Sequence, residues 1–359
     1  MSEKNKTGIK EAIQKKIVEH KPLESSEAYA AMHDIMDGTA TPAQIGAFLV
    51  ALKVQEPGIP EVSAMVRCMK DFANKVHPAG KGPIVDTCGT GGDTLKTINI
   101  STLSALVAAG AGVTIAKHGN RSVTSPCGSA DVLEHFGVNI MAQPGIVEQC
   151  INKTGIGFMF APVFHPAMKY ASGPRKEIGL KTIFNVLGPL TNPASANGQV
   201  LGVYDKALMD VMASVLLDFN VNHFFIVYNE HGADELLPVG KNIVKERSQG
   251  KVLSRVFEAK DFGLPEAALK DLMINASKEE NIKRFTEILK GRGPEALFNA
   301  VLMNSAMAII AGERAKDILE AVALARKSLE SGAALAKLKQ LVVESGGNLQ
   351  QFEKAMGAI

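Results

Sequence analysis

No apolar run in this chain of 359 residues is long enough to cross a bilayer. The nearest candidate, Leu103 to Ile115, is short and interrupted by glycines. The first residues, Met1 to Lys10, are polar and charged and contain no apolar signal core. Cysteine is scarce. Cys68, Cys88, Cys127 and Cys150 are the four, and none forms a C-x-x-C pair, which excludes a zinc ribbon and a dithiol redox motif. A reduced, cytoplasmic protein is therefore expected. An excess of either charge is also missing. The 39 basic and 37 acidic residues leave a net +2, so neither nucleic acid nor a membrane is expected as a partner. Neither a Ser-His-Asp set, a Cys-His set nor His-x-x-x-His metal spacing can be picked out, and there is no repeat or low-complexity segment.

What is present is enough apolar material for a sizeable core: 46% of residues are hydrophobic and 21% charged. The length suggests two domains. Residues 9 to about 75 read as helices only. Thr41-Pro42-Ala43-Gln44 is a helix start, with Thr41 as N-cap, Pro42 at the first helical position and Gln44 closing a capping box. Ile45, Phe48, Leu49 and Leu52 follow at helical spacing, and Val62, Met65, Val66 and Met69 repeat the pattern after Ile59-Pro60-Glu61.

After Pro83 the rhythm changes. Expected strands at Ile84–Thr87, Val113–Ala116, Val138–Ile140, Phe158–Phe160, Val200–Val203 and His223–Tyr228 alternate with helices. That alternation predicts an α/β fold with a mostly parallel sheet flanked by helices, beside a small all-helical domain. The helical domain is expected at 1–75, joined by about 165–190, and the α/β domain at 76–164 and 191–359. An amphipathic helix is expected over Arg175–Leu187. Ligands of such sheets bind beyond the carboxyl ends of the strands.

Two loops fall at those ends. Asp86-Thr87-Cys88-Gly89-Thr90-Gly91-Gly92-Asp93 strips side chains from the backbone, so N–H groups can approach an anion. It is neither a P-loop nor the dinucleotide fingerprint. The carboxylate of Asp93 suits a ligand with hydroxyls as well as phosphates, such as a phosphorylated sugar. Lys117-His118-Gly119-Asn120-Arg121-Ser122 gathers two cations, an amide and a hydroxyl around a glycine. Ser122, Thr124, Ser125 and Ser129 extend it. Each loop also reads as an ordinary turn.

Asn99-Ile100-Ser101-Thr102 opens a helix. Ser101 or Thr102 reads as N-cap, as anion site or, through the Ser101 hydroxyl, as a cation ligand. Ser129 likewise reads as the cap of the next helix. Asp234-Glu235 reads as a solvated pair or as a magnesium site beside a diphosphate. Arg175 reads as the start of a helix after Ser172-Gly173-Pro174. There it opposes the helix dipole, so a carboxylate ligand is one reason for its position. His165, in Phe164-His165-Pro166, reads as structural more readily than catalytic.

Together these residues resemble the anthranilate phosphoribosyltransferase family over nearly the whole chain. Asp86–Asp93, Asn99–Thr102, Lys117–Ser122, Gly128–Asp131, His165–Lys169, Thr182–Pro193 and Asp234-Glu235 keep the family's order. The resemblance implies transfer of a phosphoribosyl group from 5-phosphoribosyl 1-pyrophosphate to the amine of anthranilate, the second step of tryptophan synthesis from chorismate. It implies magnesium as cofactor, a homodimer through the helical domain and a hinge between domains. By the same resemblance, Gly89, Gly92, Asp93, Thr97, Asn99, Ile100, Ser101 and Thr102 would hold the phosphoribosyl pyrophosphate. So would Lys117, His118, Gly119, Asn120, Arg121, Ser122, Val123, Thr124, Ser125 and Ser129. Anthranilate would meet Gly89, Asn120, Arg175, His118 and His165. Ser101, Asp234 and Glu235 would carry metal. No side chain is expected to act as acid, base or nucleophile. Ile98, Thr124, Pro126 and Leu237 depart from the family's usual residues. A pyrimidine nucleoside phosphorylase of the same fold, or a nucleic-acid-binding relative without catalysis, are the alternative readings.

Overall fold

The structure is a computed structural model that describes residues 8–80, 82–91, 95, 97–122, 127–248, 250–274 and 277–357. Four helices come first: α1 (Ile9–Ile17), α2 (Ser25–Asp37), α3 (Pro42–Val54) and α4 (Ile59–Asp71). The cap of α3 forms as its residues predict. Thr41 Oγ1 accepts from the Gln44 N–H at 3.3 Å, and Gln44 Oε1 accepts from the Thr41 N–H at 2.8 Å.

Next come β1 (Ile84–Gly89), α5 (Ile100–Gly110), β2 (Thr114–Gly119), α6 (Ser129–His135), α7 (Pro144–Thr154), β3 (Ile156–Phe160) and α8 (Ala161–Phe164). Then follow α9 (Lys169–Ile178), α10 (Ile183–Leu187), β4 (Gly198–Gly202), α11 (Leu208–Asp218), β5 (His223–Asn229), β6 (Asn242–Ser248) and β7 (Lys251–Phe257). Six helices close the chain: α12 (Leu269–Leu272), α13 (Lys278–Leu289), α14 (Glu295–Ala311), α15 (Ile318–Glu330), α16 (Ala333–Glu344) and α17 (Leu349–Gly357).

The strands form one sheet in the order β3-β2-β1-β4-β5-β6-β7. The first five are parallel; β6 and β7 add an antiparallel hairpin at one edge. On one face lies α14, apolar on every side and buried over nearly its whole length, as a helix inside a core should be. It packs with α5, α15 and α16 against Ile115, Val200 and Val227. On the other face Leu201, Phe224 and Ile226 pack on α11. That cluster runs without a break into the helical bundle and takes in Ala171, Phe184 and Leu187. No helix among the described residues is long and apolar enough to cross a membrane.

Four expectations change. Val138–Ile140 is no strand. Gly137 turns the chain with φ +83°, and Asn139 bonds to Ser345 through its N–H (3.1 Å) and its side-chain amide (3.2 Å), which occupies the segment away from the sheet. β1 and β2 run on to Gly89 and Gly119, so Asp86–Gly89 and Lys117–Gly119 are strand, not loop. The expected helix at Arg175–Leu187 is two helices. α9 begins at Lys169, carries Pro174 inside it and ends at Gly179 with φ +67°. Arg175 therefore sits in a last turn, where a cation suits the dipole. The expected caps also shift: Asn99 precedes α5 and Gly128 precedes α6, which leaves Ser101, Thr102 and Ser129 inside the first turns.

Candidate functional site

The carboxyl ends of β1 and β4 meet at the pair Gly89–Gly202, and the turn carrying Asp234 lies on top of them. A Cβ at Gly202 would overlap the Asp234 carbonyl. One at Gly89 would come 3.0 Å from the Asp234 Cγ and closer still to Oδ2. Both positions must be glycine for the turn to seat there. Thr90 donates its N–H to the Gly202 carbonyl (2.9 Å), and Gly91 donates its N–H to Asp234 Oδ2 (3.0 Å). From below, Asn304 of α14 clamps the turn. Its Oδ1 accepts the Leu236 N–H (3.0 Å) and its amide donates to the Leu236 carbonyl (2.8 Å).

Glu235 reaches the start of α5. Its Oε1 accepts the Ser101 N–H at 3.2 Å, and its Oε2 accepts the Thr97 hydroxyl at 3.4 Å. Burial pushes the Asp234 carboxyl above its ordinary range, opposed by the Gly91 N–H and by the charge of Lys181. Two carboxylates and the Ser101 hydroxyl are all oxygen donors, the set that suits magnesium. A cation there would also relieve a carboxylate that burial now destabilises in its charged form.

Beneath the strand ends, Asp86 is fully buried. Its Oδ1 accepts the His118 N–H (3.1 Å) and its Oδ2 accepts the Asn192 amide (2.8 Å), which also donates to the Ala116 carbonyl (2.8 Å). Burial raises the Asp86 carboxyl, against the pull of the Lys117 charge. Burial also lowers the Lys117 ammonium, which donates to the Thr87 carbonyl at 2.5 Å. The Lys117 charge thus lies inside the sheet, and its main chain is what the cleft can use.

The rings of His118 and His165 lie 5.0 Å apart. Burial holds the His165 ring down at about 4, and its Nε2 lies 3.1 Å from the Thr191 carbonyl. Burial, then the His165 and Lys117 charges, hold His118 well below its ordinary value. Both rings are neutral near pH 7. Gly119 leaves room for the Ser129 hydroxyl, which donates to the Asn120 carbonyl at 3.2 Å. Arg121 is committed to α6, where it pairs with Asp131 (2.8 Å) and Glu134 (2.7 Å). Asp131 also accepts the Ser122 N–H at 3.3 Å. Ile100 is buried, so only its backbone can serve a ligand.

Three buried polar atoms in this region have no partner among the described residues: Asn99 Oδ1, Thr102 Oγ1 and His118 Nε2. Such orphans are rare in folded proteins and are met by ordered water or by a ligand. Arg175 lies over the Phe184 ring at 5.1 Å. Burial alone lowers its guanidinium, with no neighbouring carboxylate among the described residues to offset the cost. A half-buried Arg in that state favours an anionic ligand. Gly92, Asp93, Val123, Thr124 and Ser125 lie outside the described residues.

Sequence reasoning missed Asp86 and Asn192 as a clamp, and Asn304 as the anchor of the turn that carries Asp234 and Glu235. Asn304 did carry a signal, a polar amide in the middle of a mostly apolar helix, shared with Asn299 and Ser305.

Two family models match the chain: a glycosyl transferase family helical bundle domain over residues 10–73, and a glycosyl transferase family a/b domain over residues 81–335. The anthranilate phosphoribosyltransferase of Chloroflexus aurantiacus is 45% identical over 340 residues, 94% of this chain and 99% of the relative. That of Methanocorpusculum labreanum is 45% identical over 334 residues, 93% of this chain and 97% of the relative. Among solved structures, anthranilate phosphoribosyltransferase from Thermus thermophilus superposes with a TM-score of 0.87 at 39% identity, covering 93% of this chain and 99% of that one. The Saccharomyces cerevisiae enzyme in complex with PRPP and Mg gives 0.86 at 28% identity, covering 94% and 98%.

Proposed function

The chain belongs to the anthranilate phosphoribosyltransferase family, and from that premise we propose how its residues divide the work. The reaction joins the amine of anthranilate to the phosphoribosyl group of PRPP and releases pyrophosphate, the phosphoribosyl transfer step of tryptophan biosynthesis. The observation that carries the assignment of roles is the stack at the strand ends. The Gly91 N–H of the β1 loop meets Asp234 and the Ser101 N–H in the first turn of α5 meets Glu235, which brings loop, helix start and two adjacent carboxylates together.

The N–H groups of Thr90, Gly91 and Ser101 are donated to Gly202, Asp234 and Glu235, so the pyrophosphate and ribose are taken chiefly by the side chains of Thr97, Asn99, Ser101 and Thr102, with the positive end of α5 behind them. Asn99 Oδ1 and Thr102 Oγ1 are the atoms that gain partners. Gly92 and Asp93 extend this set. The main chain from Lys117 to Ser125, with Ser129, follows the phosphoribosyl end. Asp234, Glu235 and Ser101 hold magnesium. A magnesium ion held there supplies charge neutralisation for the departing pyrophosphate. Arg175 takes the anthranilate carboxylate as a bidentate pair. Gly89, Asn120, His118 and His165 line the approach, and because both rings are neutral near pH 7 they do not compete with Arg175 for the carboxylate.

An aromatic amine is already neutral and nucleophilic, so it needs no base before it attacks. What remains is to hold amine and anomeric carbon in line, and positioning of this kind can supply roughly 7–11 kcal/mol. The absence of an acid–base pair among the proposed contacts follows from that chemistry.

We also propose a homodimer through the bundle, in support of which Val54 is 78% and Val18 70% exposed, with Ile17 and Val50 nearby on α1 and α3. A cytoplasmic location is supported by four cysteines that form no disulfide. The test is loss of anthranilate fluorescence on mixing with PRPP, with and without magnesium. Loss that needs both PRPP and magnesium supports the reading. Loss that persists in a chelator refutes the metal assignment, and no loss from folded protein refutes this division of roles.

A further inference from the structure

The sheet is split at its carboxyl edge. β1 pairs with β4 from Val85 to Gly89, and β2 pairs with β3 from Ile115 to Gly119. Between β1 and β2 the register stops after Ile84↔Thr114 and Val85↔Ile115. Beyond that point side chains meet the main chains of the two strands. Asp86 Oδ1 accepts the His118 N–H at 3.1 Å, the Asn192 amide donates to the Ala116 carbonyl at 2.8 Å, and the Lys117 ammonium donates to the Thr87 carbonyl at 2.5 Å. Asp86, Lys117 and Asn192 are all buried. A bridge of this kind sets the separation of two strands by side-chain length rather than by ladder geometry.

The split divides the proposed site. The turn that carries Asp234 is seated on Gly89 and Gly202, at the ends of β1 and β4. His118 lies near the end of β2, and His165 follows β3 and α8. Asp86 holds the second half to the first. It takes the His118 main chain directly. Its Oδ2 accepts the Asn192 amide at 2.8 Å, and the neighbouring Thr191 carbonyl lies 3.1 Å from His165 Nε2. The donor pattern is fixed from outside. Asn192 Oδ1 accepts the Ala194 N–H at 2.9 Å, so its NH2 end must face Asp86. Position 86 must therefore accept from two donors on two atoms. A carboxylate does so; an amide of the same size turns an NH2 toward one of them.

We propose that Asp86 is a positioning residue for the transfer: with Asn192 it sets the distance between the strand ends that seat Asp234 and those that carry His118 and His165. This rests on the placement of the two substrates made above. The ends of β1 and β4 share an unbroken ladder, so the turn of Asp234 keeps its seat when the bridge is disturbed. The error falls on the alignment of amine and anomeric carbon.

The test is steady-state kinetics of wild type, Asp86→Asn, Asn192→Ala and the exchange Asp86→Asn with Asn192→Asp, each checked by thermal unfolding. Asp86→Asn keeps the volume and sets NH2 against a donor. The exchange restores a donor–acceptor pair between 86 and 192 and keeps one negative charge beside Lys117, at the loss of the Ala116 bond. The expected result for Asp86→Asn is kcat/KM for anthranilate lowered by roughly 10- to 100-fold, the cost of a misplacement of up to about 1 Å. The magnesium concentration for half-maximal rate should stay within about twofold of wild type. The exchange should recover at least about threefold of the loss. Asn192→Ala should act in the same direction, and carries the comparison if Asp86→Asn does not fold. A kcat/KM for anthranilate within about twofold of wild type overturns the proposal. So does a parallel rise in the magnesium requirement, which would show a general disturbance, or an exchange variant no better than Asp86→Asn. Failure of both single variants to fold also overturns it, by making the bridge a matter of stability alone. Arg175→Ala, run alongside, separates the two layers: if it does not act selectively on anthranilate, the substrate placement fails, whatever Asp86 does.

Discussion

Replacing Gly89 by Ala adds one methyl group and tests the site at its tightest point. Gly89 ends β1 in a strand conformation open to any residue, so the added methyl brings no backbone strain of its own. It brings a collision. The new Cβ would lie 3.0 Å from Asp234 Cγ and nearer still to Oδ2, so the carboxylate must retreat by roughly 1 Å to reach ordinary contact. The main chain cannot carry it away. The Asp234 carbonyl is packed against Gly202, and Leu236 is clamped by Asn304 at 3.0 and 2.8 Å. The side chain must therefore rotate, which breaks its bond to the Gly91 N–H.

A misplacement of about 1 Å in a positioning site costs on the order of 10²-fold in rate, or about 2.7 kcal/mol of barrier. The expected outcome for Gly89→Ala is a fall in kcat of that order with a raised magnesium requirement at half-maximal rate. The assay is anthranilate fluorescence across a magnesium titration, with thermal unfolding as the check on folding. Gly202→Ala, whose methyl would meet the Asp234 carbonyl itself, should do at least as much harm. A folded Gly89→Ala enzyme with wild-type kcat and an unshifted magnesium titration would refute the claim that these glycines exist to seat Asp234.

Arg175→Ala should raise the KM for anthranilate by roughly 10²-fold, the loss of a charge-assisted pair, and leave the KM for PRPP nearly unchanged; equal effects on both would remove Arg175 from the aromatic acid. His165 carries a signature in stability. Its ring titrates near 6.5 in the unfolded chain and at about 4 when folded, so its contribution is complete above pH 6.5 and is lost as pH falls toward 4. The loss is about 3 kcal/mol, and His165→Gln should flatten the pH dependence of the urea midpoint across that window. Val54→Asp places a charge on the exposed apolar face of the bundle and should shift the sedimentation behaviour from dimer to monomer; an unchanged profile would move the interface elsewhere.

How far the chain could be read from its residues depended on where the deciding partner lies. The α3 cap was legible because Thr41, Pro42 and Gln44 act on one another within a turn. The parallel strands were legible where they are continuous apolar runs. Their ends were not, because Lys117 and His118 are buried polar residues paired across the sheet, to Thr87 and to Asp86. The hairpin β6–β7 escaped notice for the opposite reason: it is half exposed and rich in charge, with Arg255 bridging to Glu246 between strands. Arg175 was placed at the wrong end of its helix because Ser172-Gly173-Pro174 reads locally as a break, whereas α9 continues through it and stops at Gly179.

The same rule governs the site. Gly-rich and hydroxyl-rich loops announce an anion site through composition alone, since an anion must be met by bare N–H groups and short donors. The use of each charge is not announced. Arg121 looks like a phosphate ligand until Asp131 and Glu134 are seen to hold it. Lys181 looks like surface until Tyr204 is seen beneath it. In each case a cation's free energy depends on which anion or ring shares its desolvated space, and that neighbour is set by the fold at a distance. Composition reports which ligands a site can satisfy; only the three-dimensional neighbours decide which side chains are placed to satisfy them.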